Sequence, residues 1–183
     1  MGTLIYHVAV SLDYFIADQA MMEGRIDQTL FLFDGEHVPD FVAEIQDYEA
    51  VLMGGKTYAF GFKMGAKPGE PGYQGLKHYI FSRSLEFESN DEVELIKEDA
   101  IPFIRHLKEQ TVGKLWLCGG GELAGSLLQH KLIDQLVLKI NPVMVGDGVP
   151  LFGSVKPRLK LDLIDMKQYA NGVLKPTYNI IYT

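Results

Sequence analysis

The chain reads as an α/β fold: a central, mostly parallel mixed sheet with helices on both faces and a C-terminal antiparallel hairpin. Three observations predict it. Short apolar runs rich in β-branched residues alternate with stretches of helical spacing from Leu4 to Ile140. Asn171-Gly172 separates the last two strand-like runs, and that dipeptide is the strongest short-range hairpin signal. The 183 residues, 47% of them apolar, suit one domain spanning 1–183 whose core needs neither disulfide nor metal.

The elements follow in order. Leu4 to Val10 reads as a buried strand. Asp13 to Glu36 is a long segment broken by Asp18, Gly24, Asp27 and Asp34-Gly35, and loops of this length often lie over active sites. Val38, Phe41, Val42, Ile45 and Tyr48 repeat with helical spacing, with Pro39 near the helix start. Ala50 to Met53 is a strand closed by Gly54-Gly55, and Lys56 to Phe62 is a brief helix. Gly61 to Gly75 holds five glycines and two prolines and reads as loop. Strands are expected at His78–Phe81 and Glu94–Ile96, then a helix N-capped by Asp99 and carrying Phe103, Ile104 and Leu107. Leu115 to Leu117 is a strand, Glu122 to His130 a helix, and Gln135 to Ile140 a strand. Leu159–Tyr169 and Val173–Tyr182 form the hairpin.

Charge and cysteine content narrow the function. A net charge of −7 and a pI near 5.2 repel phosphate backbones, so nucleic acid is not an expected partner. A phosphorylated cofactor needs only a few local basic groups. One cysteine, Cys118, can form no internal disulfide and no Cys-based zinc site. Met1 to Tyr14 lacks a basic n-region and a long apolar stretch, and no run approaches membrane-span length. A soluble cytoplasmic protein without metal or membrane partner is the expectation.

Three strand ends carry the chemistry. In Leu115-Trp116-Leu117-Cys118-Gly119-Gly120-Gly121-Glu122-Leu123, a strand passes through three glycines into a helix. Glycine lets the backbone approach a ligand closely, and N–H groups at a helix start face an anion such as pyrophosphate. The acidic ribose-binding residue of a dinucleotide fingerprint, due about 20 positions on, is absent. A glycine-rich turn without ligand is the alternative. In Met53-Gly54-Gly55-Lys56-Thr57, a lysine and a hydroxyl follow the glycines; the P-loop spacing is missing, which excludes an NTPase. In Phe81-Ser82-Arg83-Ser84, two hydroxyls flank an arginine whose fork matches a phosphate such as the 2′-phosphate of NADP. Lys56 and Arg83 each have a plain alternative as solvated turn residues. Repetition favours a ligand, because strand carboxyl ends are where α/β sheets bind.

The candidate acids are Asp13, after the first strand, and Asp40, in the first helix; either could orient substrate or supply a proton. Asp40 also suits the helix dipole. The five histidines lack metal-ligand spacing, and His7 and His130 read as packing or surface residues.

The ordered set of motifs resembles the dihydrofolate reductase-like superfamily over most of the chain. The matching pieces are Val8-Ala9-Val10-Ser11-Leu12-Asp13, Met53 to Thr57, Tyr79 to Arg83, Gly119-Gly120-Gly121, Leu132 to Leu136, and Pro142 to Phe152. The last three are similar to the riboflavin biosynthesis reductase branch (RibD C-terminal domain) more than to dihydrofolate reductases proper. The resemblance implies an NADPH-dependent reductase of a small heterocycle, acting as a homodimer. It implies that Gly54, Gly55, Lys56 and Thr57 meet the pyrophosphate and adenosine side of NADPH. Ser82 and Arg83 would meet the 2′-phosphate, and Gly119, Gly120, Gly121, Glu122 and Leu123 the pyrophosphate and nicotinamide side. The chain departs from its relatives in lacking the folate-tail arginine near Leu76 and the folate-loop tryptophan. Tyr14 stands where the riboflavin branch usually has glycine. Phe15, Ile16, Phe31 and Phe33 are placed to pack on a flat ring. A non-catalytic dimeric nucleotide- or NADP(H)-binding protein on the same fold is the alternative.

Overall fold

The computed structural model describes residues 1–25 and 31–182. Asp27, read as a break in the 13–36 segment, lies outside the described residues.

Six parallel strands form the body of an eight-stranded sheet: β1 (Thr3–Val10), β3 (Tyr48–Gly54), β4 (Lys77–Phe81), β5 (Val93–Ile96), β6 (Lys114–Gly119) and β7 (Gln135–Ile140). The antiparallel strands β9 (Lys160–Gln168) and β10 (Leu174–Ile181) extend one edge, giving the order β5-β4-β3-β6-β1-β7-β10-β9. Between them β2 (Phe15–Ala17) pairs with β8 (Val149–Pro150) as a separate two-stranded ribbon.

Helices cover both faces, because alternate residues of each strand are apolar on both sides. On one face α4 (Ala100–Gln110) and α5 (Gly121–Gln129) bring Ile104, Leu127 and Leu128 onto Leu4, Tyr6, Leu115 and Leu117. On the other, α2 (His37–Ile45) and α3 (Gly55–Phe60) bring Ile45 and Tyr58 onto Ile5, Val51, Met53 and Trp116. Asp99 caps α4, its carboxylate accepting the Ile101 N–H at 3.0 Å. A short α1 (Gln19–Met22) is capped by Asp18 in the same way.

The structure departs from the sequence expectations at three places. Tyr48 belongs to β3, and α2 ends at Ile45; Tyr48 is buried and stacks on Trp116 with centroids 5.8 Å apart. The 13–36 segment is not bare loop but holds β2 and α1. Gly61–Met64 is a 3₁₀ turn rather than loop. The hairpin is where the sequence puts it, turning through Ala170 to Gly172, with Gly172 at φ 88° and the Tyr169 and Val173 backbones bonded across it.

Tyr14 sits at φ 63°, a left-handed conformation that disfavours a residue with a Cβ. Tyr14→Gly is therefore expected to raise stability by about 1 kcal/mol, read as a small upward shift in Tm.

Burial pulls the His7 imidazole down to about 4. A neutral ring is favoured in the folded chain and a protonated one in the unfolded chain between that value and the ordinary 6.5. Stability is therefore complete above pH 6.5 and falls as pH drops through that window. Burial pulls the buried His78 the same way. Denaturant titrations across pH 7 to 4 are expected to show this loss, with a shallower slope in His7→Gln.

Candidate functional site

The carboxyl ends of β4, β3 and β6 are neighbours in the sheet, so the three phosphate-suited motifs meet on one rim. A cavity of about 740 Å³ opens there. Its floor is the end of β3 and the start of α3 (Gly54, Gly55, Lys56, Thr57) against the end of β6 and the start of α5 (Cys118 to Leu123). Its opposite lip is Ile16, Ala17, Met21 and Met22, with Gly148 to Pro150 of the ribbon. The lining is mainly apolar, with polar groups gathered at the two helix starts, the usual character of small-molecule sites.

The two turns touch through backbone. A Cβ added to Gly54 would stand 3.5 Å from the Gly120 nitrogen, and one added to Gly120 would stand 3.0 Å from Thr57 Oγ1. Gly119 lies at φ 141°, a conformation glycine adopts freely. No side chain caps α5, and its first ladder bond runs from the Ala124 N–H to the Gly120 carbonyl. The N–H groups of Gly121, Glu122 and Leu123 thus fall outside the ladder at the cavity wall. The Glu122 carboxylate accepts from the Ser154 N–H and the Ser154 hydroxyl, both at 2.9 Å. That clasp holds the 150–154 segment on α5. Gly121 permits it, since a Cβ there would lie 2.4 Å from the Pro150 carbonyl oxygen.

Ser82 and Arg83 sit one strand further out and do not line the cavity. Ser82 packs on Gly55, where an added Cβ would come within 2.6 Å of it. Its hydroxyl accepts the N–H groups of Ser84 and Leu85, shaping the turn that presents Arg83. Arg83 is exposed and makes no hydrogen bond or ion pair with another described residue.

Asp13 and Asp40 are not brought to the cavity. Asp13 accepts the N–H groups of Gly146 at 2.8 Å and Val145 at 3.2 Å, which ties the end of β1 to the turn after β7. Hydrogen bonding to Ser11 and to those N–H groups holds its carboxyl below the usual range. Asp40 accepts from the Tyr169 hydroxyl at 2.8 Å and Lys167 Nζ at 3.1 Å, and both lower its carboxyl. Each aspartate is anchored as a carboxylate by partners distant in sequence and so joins elements of the fold.

Two groups escaped the sequence reading, one in the cavity lining and one outside it. Cys118 lines the cavity, and burial pushes its thiol up to about 12, so it is a neutral lining group. Lys139, on β7 beside Ala9, donates to the Leu32 carbonyl and lies under the Phe33 ring. Burial pulls its ammonium down to about 8. The same carbonyl takes the Nε2–H of His37 at 3.1 Å, because Asn171 Nδ2 donates to His37 Nδ1. A lysine inside an apolar strand carries no local motif to mark it.

Comparison with known proteins follows the same lines. The family model for the RibD C-terminal domain matches residues 2–175. The chain belongs to the RibD C-terminal domain family. The uncharacterized protein YwjB of Bacillus subtilis is 31% identical over 169 residues, covering 92% of this chain and 93% of YwjB. Among solved structures, a protein of Shewanella sp. PV-4 assigned to riboflavin biosynthesis aligns over the whole of both chains, with a TM-score of 0.79 and 24% identity. Dihydrofolate reductase from Enterococcus faecalis, solved with NADP(H), aligns over 98% of this chain and 96% of its own, with a TM-score of 0.62 and 15% identity. This RibD C-terminal domain protein therefore has the dihydrofolate reductase-like fold. Among the described residues there is no His, Cys, Asp or Glu cluster fit for a metal, and no helix long and apolar enough to cross a membrane.

Proposed function

We propose that this protein is an NADPH-dependent reductase of a small heterocyclic substrate, similar to 5-amino-6-(5-phosphoribosylamino)uracil reductase or dihydrofolate reductase, and that it works as a homodimer. The observation that carries the reading is the convergence of three phosphate-suited strand ends on one rim, two of them lining one cavity. The family supports a reductase-type activity, and a neighbour in fold is a reductase solved with NADP(H).

The residues present fit the cofactor. A cavity of about 740 Å³ suits a large ligand, and the turns at Gly54, Gly119 and Gly120 bring bare backbone to its wall. The N–H groups of Gly121, Glu122 and Leu123 would take the pyrophosphate, with the α5 dipole favouring negative charge. Lys56 and Thr57 would add a cation and a hydroxyl from the facing helix start. Ser82 and Arg83 would hold the 2′-phosphate, the group that separates NADPH from NADH.

When bound, the reduced nicotinamide supplies a hydride for a polarised C=N or C=O bond. The chain orients the two reactants and keeps bulk water away. Ile16, Met21, Met22 and Val149 form an apolar lip suited to the second task. Asp13 and Asp40 stand outside the lining, so the geometry favours a proton delivered through water.

The deciding experiment is NADPH oxidation, followed by absorbance, with a panel of pterins, aminopyrimidines and related heterocycles. Oxidation that depends on one of them is the expected result. Tight binding without turnover for every compound would favour the second reading, a non-catalytic NADP(H)-binding protein. One observation speaks for that reading: the carboxylate nearest the cavity, Glu122, is committed to Ser154.

A further inference from the structure

The sheet opens on its α2 face beside the cavity. Trp116, His7 and Val137, on β6, β1 and β7, are buried there. Two residues nearer the carboxyl ends, on the same face, Cys118, Ala9 and Lys139 are all partly exposed. β1 is a central strand between β6 and β7, so exposure at Ala9 marks an opening between helix and sheet. The opening starts at Cys118, which lines the cavity, and ends at Lys139, the ladder partner of Ala9. The backbones of β6 and β7 stand two strand spacings apart, about 10 Å, and β1 places only a methyl group between them.

An unmatched charge sets the chemistry of this opening. Continuing the β10–β7 register places Lys175 opposite Lys139, and like charges so opposed are unfavourable. Lys175 is neutralised by Glu44, and Lys167 of β9 by Asp40 and Glu44. Lys139 has no ion-pair partner among the described residues. It donates to the Leu32 carbonyl, and the Phe33 ring centroid lies 5.6 Å from its Nζ. An ammonium group has three donors, so two remain. A neutral amide or hydroxyl would hold the Leu32 carbonyl without the cost of a half-buried, unpaired charge.

The other groups facing Lys139 narrow the ligand. Asp34 attracts it without forming an ion pair, and burial of His37 favours its neutral ring. His37 Nε2–H donates to the same Leu32 carbonyl at 3.1 Å. One unpaired ammonium matches one negative charge, while the Leu32 carbonyl and Asp34 disfavour the second charge of a phosphate.

We propose that Lys139 is the specificity-determining residue of the reductase described above, its ammonium taking a carboxylate carried by the heterocycle, which lies over Ala9 with its ring toward Cys118. The site rests on the reductase reading; the monoanionic substrate class and the residue that selects it go beyond that reading.

Calorimetric titration of the full chain at pH 7 with matched probes tests it: pteridine-6-carboxylate and pyrimidine-4-carboxylate, each against its carboxamide. The wild type is expected to bind a carboxylate at least about tenfold more tightly than its amide. Free Lys139 loses its proton at about 8. The probes stay ionised above that pH, so the preference is expected to be full below it and lost well above it. Lys139→Met is expected to bind carboxylate and amide equally, and Lys139→Arg to keep the preference. A lysine that only holds the chain at Leu32 would move both affinities together, leaving their ratio and its pH profile unchanged. Far-UV circular dichroism checks folding, and if Lys139→Met does not fold, the wild-type pH profile and Lys139→Arg decide. Equal affinities within each pair, no binding of any probe, or a preference that survives in folded Lys139→Met or well above pH 8 overturns the proposal. If the wild type still binds NADPH, the cofactor reading stands; if it does not, both fall.

Discussion

Gly121→Val is expected to abolish measurable NADPH binding and to lower stability by about 1–3 kcal/mol, the range for overpacking a close contact. A Cβ at this position would lie 2.4 Å from the Pro150 carbonyl oxygen and 2.8 Å from the Gly153 nitrogen. Both are backbone atoms, so relief requires the 150–153 segment or the first turn of α5 to move. Either motion shifts the N–H groups assigned to the pyrophosphate, and a loss of 1.4 kcal/mol is already a tenfold weaker complex. Thermal unfolding and nicotinamide fluorescence measure the two effects separately. Gly61→Ala is the control: its nearest new neighbour is the Ala66 Cβ at 3.7 Å, an ordinary contact. It is expected to leave both readings within about 0.5 kcal/mol of the wild type.

Arg83→Ala is expected to weaken NADPH and spare NADH. Arg83 is exposed and unpartnered among the described residues, so its removal opens no cavity and breaks no internal bond. A charge-assisted hydrogen bond contributes about 1.5–3 kcal/mol, which is roughly a 10- to 150-fold loss for the 2′-phosphorylated cofactor alone. Tm without ligand is expected to stay unchanged. Parallel titrations with the two cofactors check the selectivity. Equal weakening of both would place Arg83 elsewhere on the ligand or outside the site.

How much of this was legible in the sequence depended on how local the signal was. The glycine turns after β3 and β6 announced themselves because each is a strand, a run of small residues and a helix within ten positions. The sheet brings them together simply because β3 and β6 are neighbours. The final hairpin was equally local. By contrast, β2 and β8 are three and two residues long and pair across more than 130 positions, too short for any periodic pattern. Tyr48 continued the helical spacing of α2, but its ring is drawn into the aromatic cluster around Trp116, where packing overrides spacing. Asp40 showed the same limit in the site. It is the first-turn acid its position suggests, and its carboxylate is also held by Tyr169 and Lys167, more than 120 residues away. Lys139 was invisible for the same reason, since only the fold lays Leu32, Phe33 and His37 over it.

The central claim is that the rim formed by β4, β3 and β6 is an NADPH site. Titration of the wild-type chain with NADPH and NADH, by nicotinamide fluorescence and thermal shift, tests it most directly. Saturable binding that raises Tm and favours NADPH is the predicted result. No binding of either cofactor at millimolar concentration would contradict it and leave the cavity to another ligand.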